Sequence, residues 1–426
     1  MLRVKNAVHK QFHNLVWRVA VLKTDAQGGT MSGTAYKAPP RSLAFILSLA
    51  AGATVANLYY SQPLLAVMAS EFMSTPETLG MVPTLTQVGY ALGLVLLVPL
   101  GDSHERRGLI VKMTILVSLA LLAVSFSPNF AWLLVGSFFL GMTTIVPQLV
   151  VPFSASLVDP SIRGRFVGQV MSGLLIGIIL SRSLSGYAEG YIGWRTIYVI
   201  AAVGMLALAM ILHLTLPRQF PSRRVPYRDL VKSLVKLVRQ EPILRRHALV
   251  GAFGFSAFSA FWTPLVFHLQ NISSSYGAHT VAMLALLGVT GAFVAPFSGR
   301  LSDRFNTKLV NAGALVLVVF AFVVLWAGQM SLVVTALGVI LLDAGIQASH
   351  ISNQTQIYAL HPDLRSRLNA VYMFSYFLGG AFGSGVGSYL WQHHGWIGVC
   401  VLGGGLAAAG IVALLAPASR EQAGFR

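Results

Sequence analysis

The sequence predicts an all-α membrane protein whose twelve transmembrane helices form two pseudo-symmetric six-helix bundles, and three observations carry that expectation. The chain is 55% apolar and only 10% charged, whereas soluble domains carry roughly 25% charged residues; an ordinary globular enzyme is excluded. One segment occurs twice: Arg163-Gly164-Arg165, Met171, Gly177, Tyr187 and Gly193-Trp194 return 202 residues later, without a gap, as Arg365-Ser366-Arg367, Met373, Gly379, Tyr389 and Gly395-Trp396. Such a repeat is far longer than the roughly 20–50 residues of a solenoid unit. The basic residues, finally, alternate with the apolar runs in a way that only one topology explains.

A bilayer-spanning helix needs about 20 mostly apolar residues. The first six runs that qualify are 43–68, 79–101, 109–127, 130–154, 167–190 and 195–216. The second six are 247–270, 279–298, 309–328, 331–356, 368–391 and 396–416. Pro83, Pro99, Pro147, Pro264 and Pro296 fall inside these runs; membrane helices tolerate them because neighbouring groups satisfy the freed backbone. The expected organisation is an N-terminal tail (1–42), one bundle (43–216), a basic linker (217–246), a second bundle (247–416) and a short tail (417–426).

Twelve spans place the termini on one side together with segments 102–112, 157–166, 217–246, 299–308 and 357–367, and that side holds 28 of the 30 lysines and arginines. Arg195 is on the other side and Arg182 is inside a span. The positive-inside rule then puts both termini and the linker in the cytoplasm. The net charge of +17 follows from this topology and does not indicate nucleic acid. Within the linker, residues 225–239 have the pattern of a basic amphipathic helix suited either to anionic lipid or to a solvated connector. The single cysteine, Cys400, rules out an intrachain disulfide and a cysteine metal cluster. No cofactor and no metal is expected.

Two charged turns punctuate the runs at a spacing close to that of the repeat: Leu100-Gly101-Asp102-Ser103-His104-Glu105-Arg106-Arg107-Gly108, and Gly299-Arg300-Leu301-Ser302-Asp303-Arg304-Phe305-Asn306-Thr307-Lys308. An aspartate there can accept bonds from the exposed amides of a neighbouring helix N-terminus, either latching the halves or merely marking topology. These turns resemble the signature loop of the major facilitator superfamily, G-x-L-a-D-R-x-G-R-K, with Asn306 replacing the late glycine, and with Val98 and Ser103 departing from it in the first copy. Asn57-Leu58-Tyr59-Tyr60-Ser61-Gln62-Pro63-Leu64-Leu65 and Ser352-Asn353-Gln354-Thr355-Gln356-Ile357-Tyr358 resemble bacterial inner-membrane drug, sugar and nucleoside efflux carriers.

The resemblance implies a monomeric rocker-switch carrier in the inner membrane. Its cavity would be lined by helices one, four, seven and ten, and its moving interface formed by helices two, five, eight and eleven. Gly173, Gly177 and Gly186, with Gly379, Gly380, Gly383 and Gly387, fall on the interface helices, and suit either that moving contact or static packing. Asp102, Arg106, Arg107, Asp303, Arg304 and Lys308 would hold the cytoplasmic gate. Ile178 and Ser137 replace residues that many efflux members carry as proline and arginine.

Apart from histidines, the ionisable side chains well inside the spans are Arg182 and Asp343, each costing about 2.5–3.5 kcal/mol at mid-helix. Gln347, His350 and Gln354 follow Asp343 at i+4, i+7 and i+11, on one helix face, with Asn353 beside it. This stripe points to Asp343 as a proton-titrating carboxylate with His350 as relay or substrate contact; a permanent Asp343–Arg182 pair, or an aspartate bonded to hydroxyls and amides, is the structural alternative. Arg182, Gln347, Asn57, Tyr60, Gln148, Trp262 and Asn353 are the expected substrate contacts. The functional expectation is proton-coupled export of a small organic solute, with uptake or uncoupled carriage, and a membrane sensor acting through the linker, as the alternatives.

Overall fold

The structure is a computed structural model that describes residues 40–220, 226–291, 294, 298, 305–361 and 364–416. Asp303, Arg304 and the rest of the turn 299–304, together with the two tails, lie outside the described residues. Among those described, the chain is mostly helical and forms no strand.

Among the described residues, nine helices are long and apolar enough to cross a membrane. Two of them, Arg163–Thr215 and Arg365–Leu415, run to 53 and 51 residues. As straight rods they would reach nearly 80 Å, far beyond a hydrocarbon core of about 30 Å. Each breaks at one glycine, Gly193 (φ 73°, ψ 156°) and Gly395 (φ 61°, ψ −155°), so each supplies two spans. With the shorter helix Ala278–Gly291, the count of twelve fits. In chain order the spans are α1 (Arg41–Glu71), α2 (Pro76–Asp102), α3 (Arg106–Ser125), α4 (Phe130–Ser156), α5 (163–192), α6 (194–215), α7 (Pro242–Ile272), α8 (Ala278–Gly291), α9 (Thr307–Ala327), α10 (Leu332–Leu360), α11 (365–394) and α12 (396–415).

The two breaks sit at equivalent positions of the repeat, and both occupy a backbone region that is essentially restricted to glycine. Alanine at either position is expected to cost about 1–3 kcal/mol, read as a lowered unfolding temperature in detergent. Alanine at Gly190, where a Cβ meets nothing within 4 Å, is the matched control.

Helices α1–α6 pack into one bundle and α7–α12 into the other. The halves meet chiefly where α2 lies on α11 and α5 on α8. The two charged turns cap the next helix at matching places: Glu105 accepts from Arg107 N (2.9 Å) and Gly108 N (2.7 Å), and Asn306 accepts from Lys308 N (2.9 Å). The repeat has thus kept the N-cap of α3 and α9 while exchanging its chemistry.

The glycine stripes divide between the two roles open to them. A Cβ on Gly173 or Gly177 would strike Ser48 or Gly52 of α1, and one on Gly379, Gly383 or Gly387 would strike Ala252, Ser256 or Ala260 of α7. These glycines bring helices of the same half together. Of the seven, only Gly186, against Ala278 of α8, and Gly380, against Gln87 of α2, face the other half. Close backbone approach serves packing within a bundle just as well as sliding between bundles, and composition alone does not tell the two apart.

The linker helix, Tyr227–Gln240, buries Leu230, Leu234 and Leu237. Leu234 and Leu237 join Leu244, Ile357 and Leu368 of the second half, while the Tyr227 hydroxyl donates to Leu96 O of α2 at 2.8 Å. The helix thereby rests on both halves at the end that carries the charged turns, called the basic end below. At the opposite end Arg195 is held by Glu71 (Nη2–Oε1 2.8 Å, Nε–Oε1 2.9 Å) and donates to Ser127 O at 2.9 Å. Arg195 thereby ties α6 to α1 and to the turn after α3.

Candidate functional site

The helix of α1 opens into a turn at residues 57–60 between Arg41–Ala56 and Ser61–Glu71. This break decides which α1 side chains reach the middle of the protein. Tyr59 and Gln62 reach it. Gln62 Oε1 accepts from Arg182 Nε at 2.5 Å, and the Tyr59 ring centroid lies 4.5 Å from the guanidinium carbon. From α7, Trp262 and Phe258 approach the same guanidinium at 4.6 and 5.4 Å. Arg182 is only 3% exposed, so these contacts are desolvated cation–π contacts, each worth about 2 kcal/mol.

Asp343 meets the same Trp262. Its Oδ1 lies 3.4 Å from the indole nitrogen, and its carboxylate is pressed against Gly288 of α8, where a Cβ would collide with it. Among the described residues no ion pair closes between Arg182 and Asp343. One ring therefore links an arginine of the first half to an aspartate of the second, in place of the direct pair weighed from the sequence.

Gln347, His350 and Gln354 are half-buried like Asp343. His350 Nδ1 shares a 2.9 Å hydrogen bond with the Tyr372 hydroxyl and lies against Tyr376. Gln354 donates to Asn369 Oδ1 at 3.4 Å. Asn353 faces elsewhere: it is fully buried, with its Oδ1 2.7 Å from His247 Nδ1 and accepting from Asn311 Nδ2 at 2.8 Å, inside the second bundle. Asn57 likewise turns into the first bundle, toward Met205 Sδ at 3.6 Å, and Tyr60 packs on Tyr198.

Contacts between the halves bound this centre on both sides. Toward the basic end, Asn369 Nδ2 donates to Gln148 Oε1 at 3.0 Å, Gln148 donates to the Tyr90 hydroxyl at 3.2 Å, and the Tyr358 hydroxyl donates to Asn369 at 2.8 Å. Gln148 is thus placed as a bridge to α11. Toward the opposite end, Gln87 Nε2 donates to Ser384 Oγ at 3.0 Å and Ser183 Oγ to Ala282 O at 3.1 Å.

The gate residues of the first charged turn bond within their own half. Arg106 donates to Gly101 O and Ser156 Oγ (3.3 and 3.4 Å), and Arg107 to Leu216 O (3.3 Å). The Arg106–Asp102 separation is 3.8 Å with both side chains partly exposed, a weak pair. Asp102 does share a cleft with Ser366 in the first turn of α11. Lys308 stands at the start of α9. In the turn between α4 and α5, Asp159 accepts from Ser161 N and Oγ (3.0 and 2.7 Å), which holds its carboxyl below the usual aspartate range.

Two six-helix bundles that meet around Arg182 and Asp343 define a protein of the multi-pass membrane class. The chain belongs to the Major Facilitator Superfamily, whose family model matches residues 45–383. It is 37% identical to the transporter YgaY of Escherichia coli O157:H7 over 382 residues, which is 90% of this chain and 97% of that one. It is 32% identical to the transporter SCO4007 of Streptomyces coelicolor, covering 84% of each. The crystal structure of a single-residue mutant of the nucleoside transporter NupG superposes with a TM-score of 0.72 at 14% identity, over 87% of this chain and 98% of that chain.

Proposed function

We propose that this protein is a proton-coupled secondary carrier that exports a small organic solute across the bacterial inner membrane by alternating access, with both termini and the linker in the cytoplasm. The observation that carries the reading is the Arg182–Trp262–Asp343 arrangement. A cation from one half and a carboxylate from the other share one ring at the junction of the bundles, so relative motion of the halves alters the surroundings of both charges. Asp343 is the proton-bearing group and His350 the group next along its stripe. The charge asymmetry of the loops supports the orientation. The Asn369–Gln148 bridge, with the linker helix across it, is the cytoplasmic closure; Asp102, Arg106, Arg107 and Lys308 flank it.

The test is flux of a radiolabelled solute in proteoliposomes under an imposed pH gradient. Net movement that follows the gradient and collapses with a protonophore is the expected result. Movement indifferent to the gradient would make the protein an uncoupled carrier.

A further inference from the structure

Arg182 is provided with more donors than the protein uses. An arginine carries five N–H donors and stays charged under all physiological conditions. Here Nε is taken by Gln62, the guanidinium lies 4.5 and 4.6 Å from the rings of Tyr59 and Trp262, and Nη2 is buried without a hydrogen-bond partner among the described residues. All of these neighbours are neutral. A buried cation without a paired counter-ion is strongly unfavourable, and among the described residues Asp343 makes no ion pair with it: its Oδ1 lies 3.4 Å from the Trp262 indole nitrogen and its Oδ2 lies against Gly288. Packed rings also restrict the guanidinium plane, so the unpartnered Nη2 has a set direction. A planar fork held in this way is suited to two-point recognition of a carboxylate.

Resting on the carrier reading above, we infer that the transported solute is a small organic acid. Its carboxylate takes the unpartnered Nη2 of Arg182, and its flat apolar body lies against Tyr59, Phe258 and Trp262. The aromatic walls select for a planar or aromatic skeleton. Arg182 is the one arginine or lysine buried among the described residues, which selects for a single acid group.

The full-length protein, purified in detergent, is titrated with benzoate, phenylacetate and cinnamate, with the matched amides, and with benzylamine. Thermal stabilisation and tryptophan fluorescence are the readouts. The carboxylates are expected to stabilise the protein and the amides and benzylamine not to. Arg182→Gln is expected to weaken carboxylate binding about tenfold or more, with Arg182→Lys between the two and Asp343→Asn still binding. Amides or benzylamine that match or exceed the carboxylates overturn the inference, and the wild-type series alone decides this even if Arg182→Gln does not fold. Carboxylate binding unchanged in a folded Arg182→Gln overturns it as well.

The two readings fail separately. Carboxylates that bind through Arg182 but never cross a proteoliposome membrane leave the acid site standing and remove the carrier. Neutral solutes that cross under a pH gradient, while carboxylates do not bind, leave the carrier standing and remove the acid site.

Discussion

Asp343→Asn is expected to abolish pH-driven net transport and to leave solute exchange running. Asparagine has the size of aspartate and keeps an oxygen for the Trp262 N–H, 3.4 Å away in the native protein, so the packing against Gly288 survives. It removes a charge that is costly to hold within a bilayer, which makes loss of the fold the least favoured outcome. What it cannot do is gain and lose a proton. A proton-coupled carrier with a single titrating group then loses the return step that depends on proton release, while the loaded carrier still reorients with solute on either side. In proteoliposomes, accumulation under a pH gradient should fall to the gradient-free level, and counterflow of labelled against unlabelled solute should persist. Accumulation at the wild-type rate would place the coupling elsewhere. Loss of both accumulation and counterflow in a folded variant would make Asp343 a solute-binding or structural group.

Much of this was legible from the chain, and the parts that were not share a physical cause. Twelve spans and two halves could be read because hydropathy and the 202-residue repeat are properties of whole segments and survive local irregularity. Arg182 and Asp343 stood out because charge inside a bilayer is rare and costly. On α1 a continuous helical period puts Asn57 and Tyr60 at the centre, whereas in the structure Tyr59 and Gln62 are the α1 residues against Arg182. A helical period was carried across residues 57–60, where the helix opens into a turn, and beyond such a break the face assignment is lost. Pro63, just past the turn, was the available signal. Asn353 was read as a neighbour of the polar stripe but belongs to a buried network with His247, Asn311 and Ser349. Residues of three helices meet there, and no single-helix pattern can show that.

The glycine stripes yield a sharper test of alternating access, because a bulky side chain has opposite consequences on the two kinds of contact. At Gly383 a side chain would run into the backbone of Ser256. Helices α7 and α11 belong to the same half, and rigid-body rocking never separates them. Gly383→Leu therefore cannot be relieved without unpacking the bundle, and is expected to cost more than about 3 kcal/mol, seen as loss of monodisperse protein. At Gly186 the obstacle is Ala278 and Ala282 of α8, which lie in the other half. There the clash is relieved when the halves part at the end opposite the charged turns. Gly186→Leu should fold, with its conformational equilibrium displaced toward that open state by about 1–3 kcal/mol, a population change of roughly 5–150-fold. A cysteine in place of Ser183, introduced after replacing Cys400, reports this as faster alkylation by a membrane-impermeant reagent. If Gly186→Leu proves as unstable as Gly383→Leu, the α5–α8 contact is as permanent as the α7–α11 contact. The halves then do not separate there, and a closure at that end that opens in each cycle is excluded.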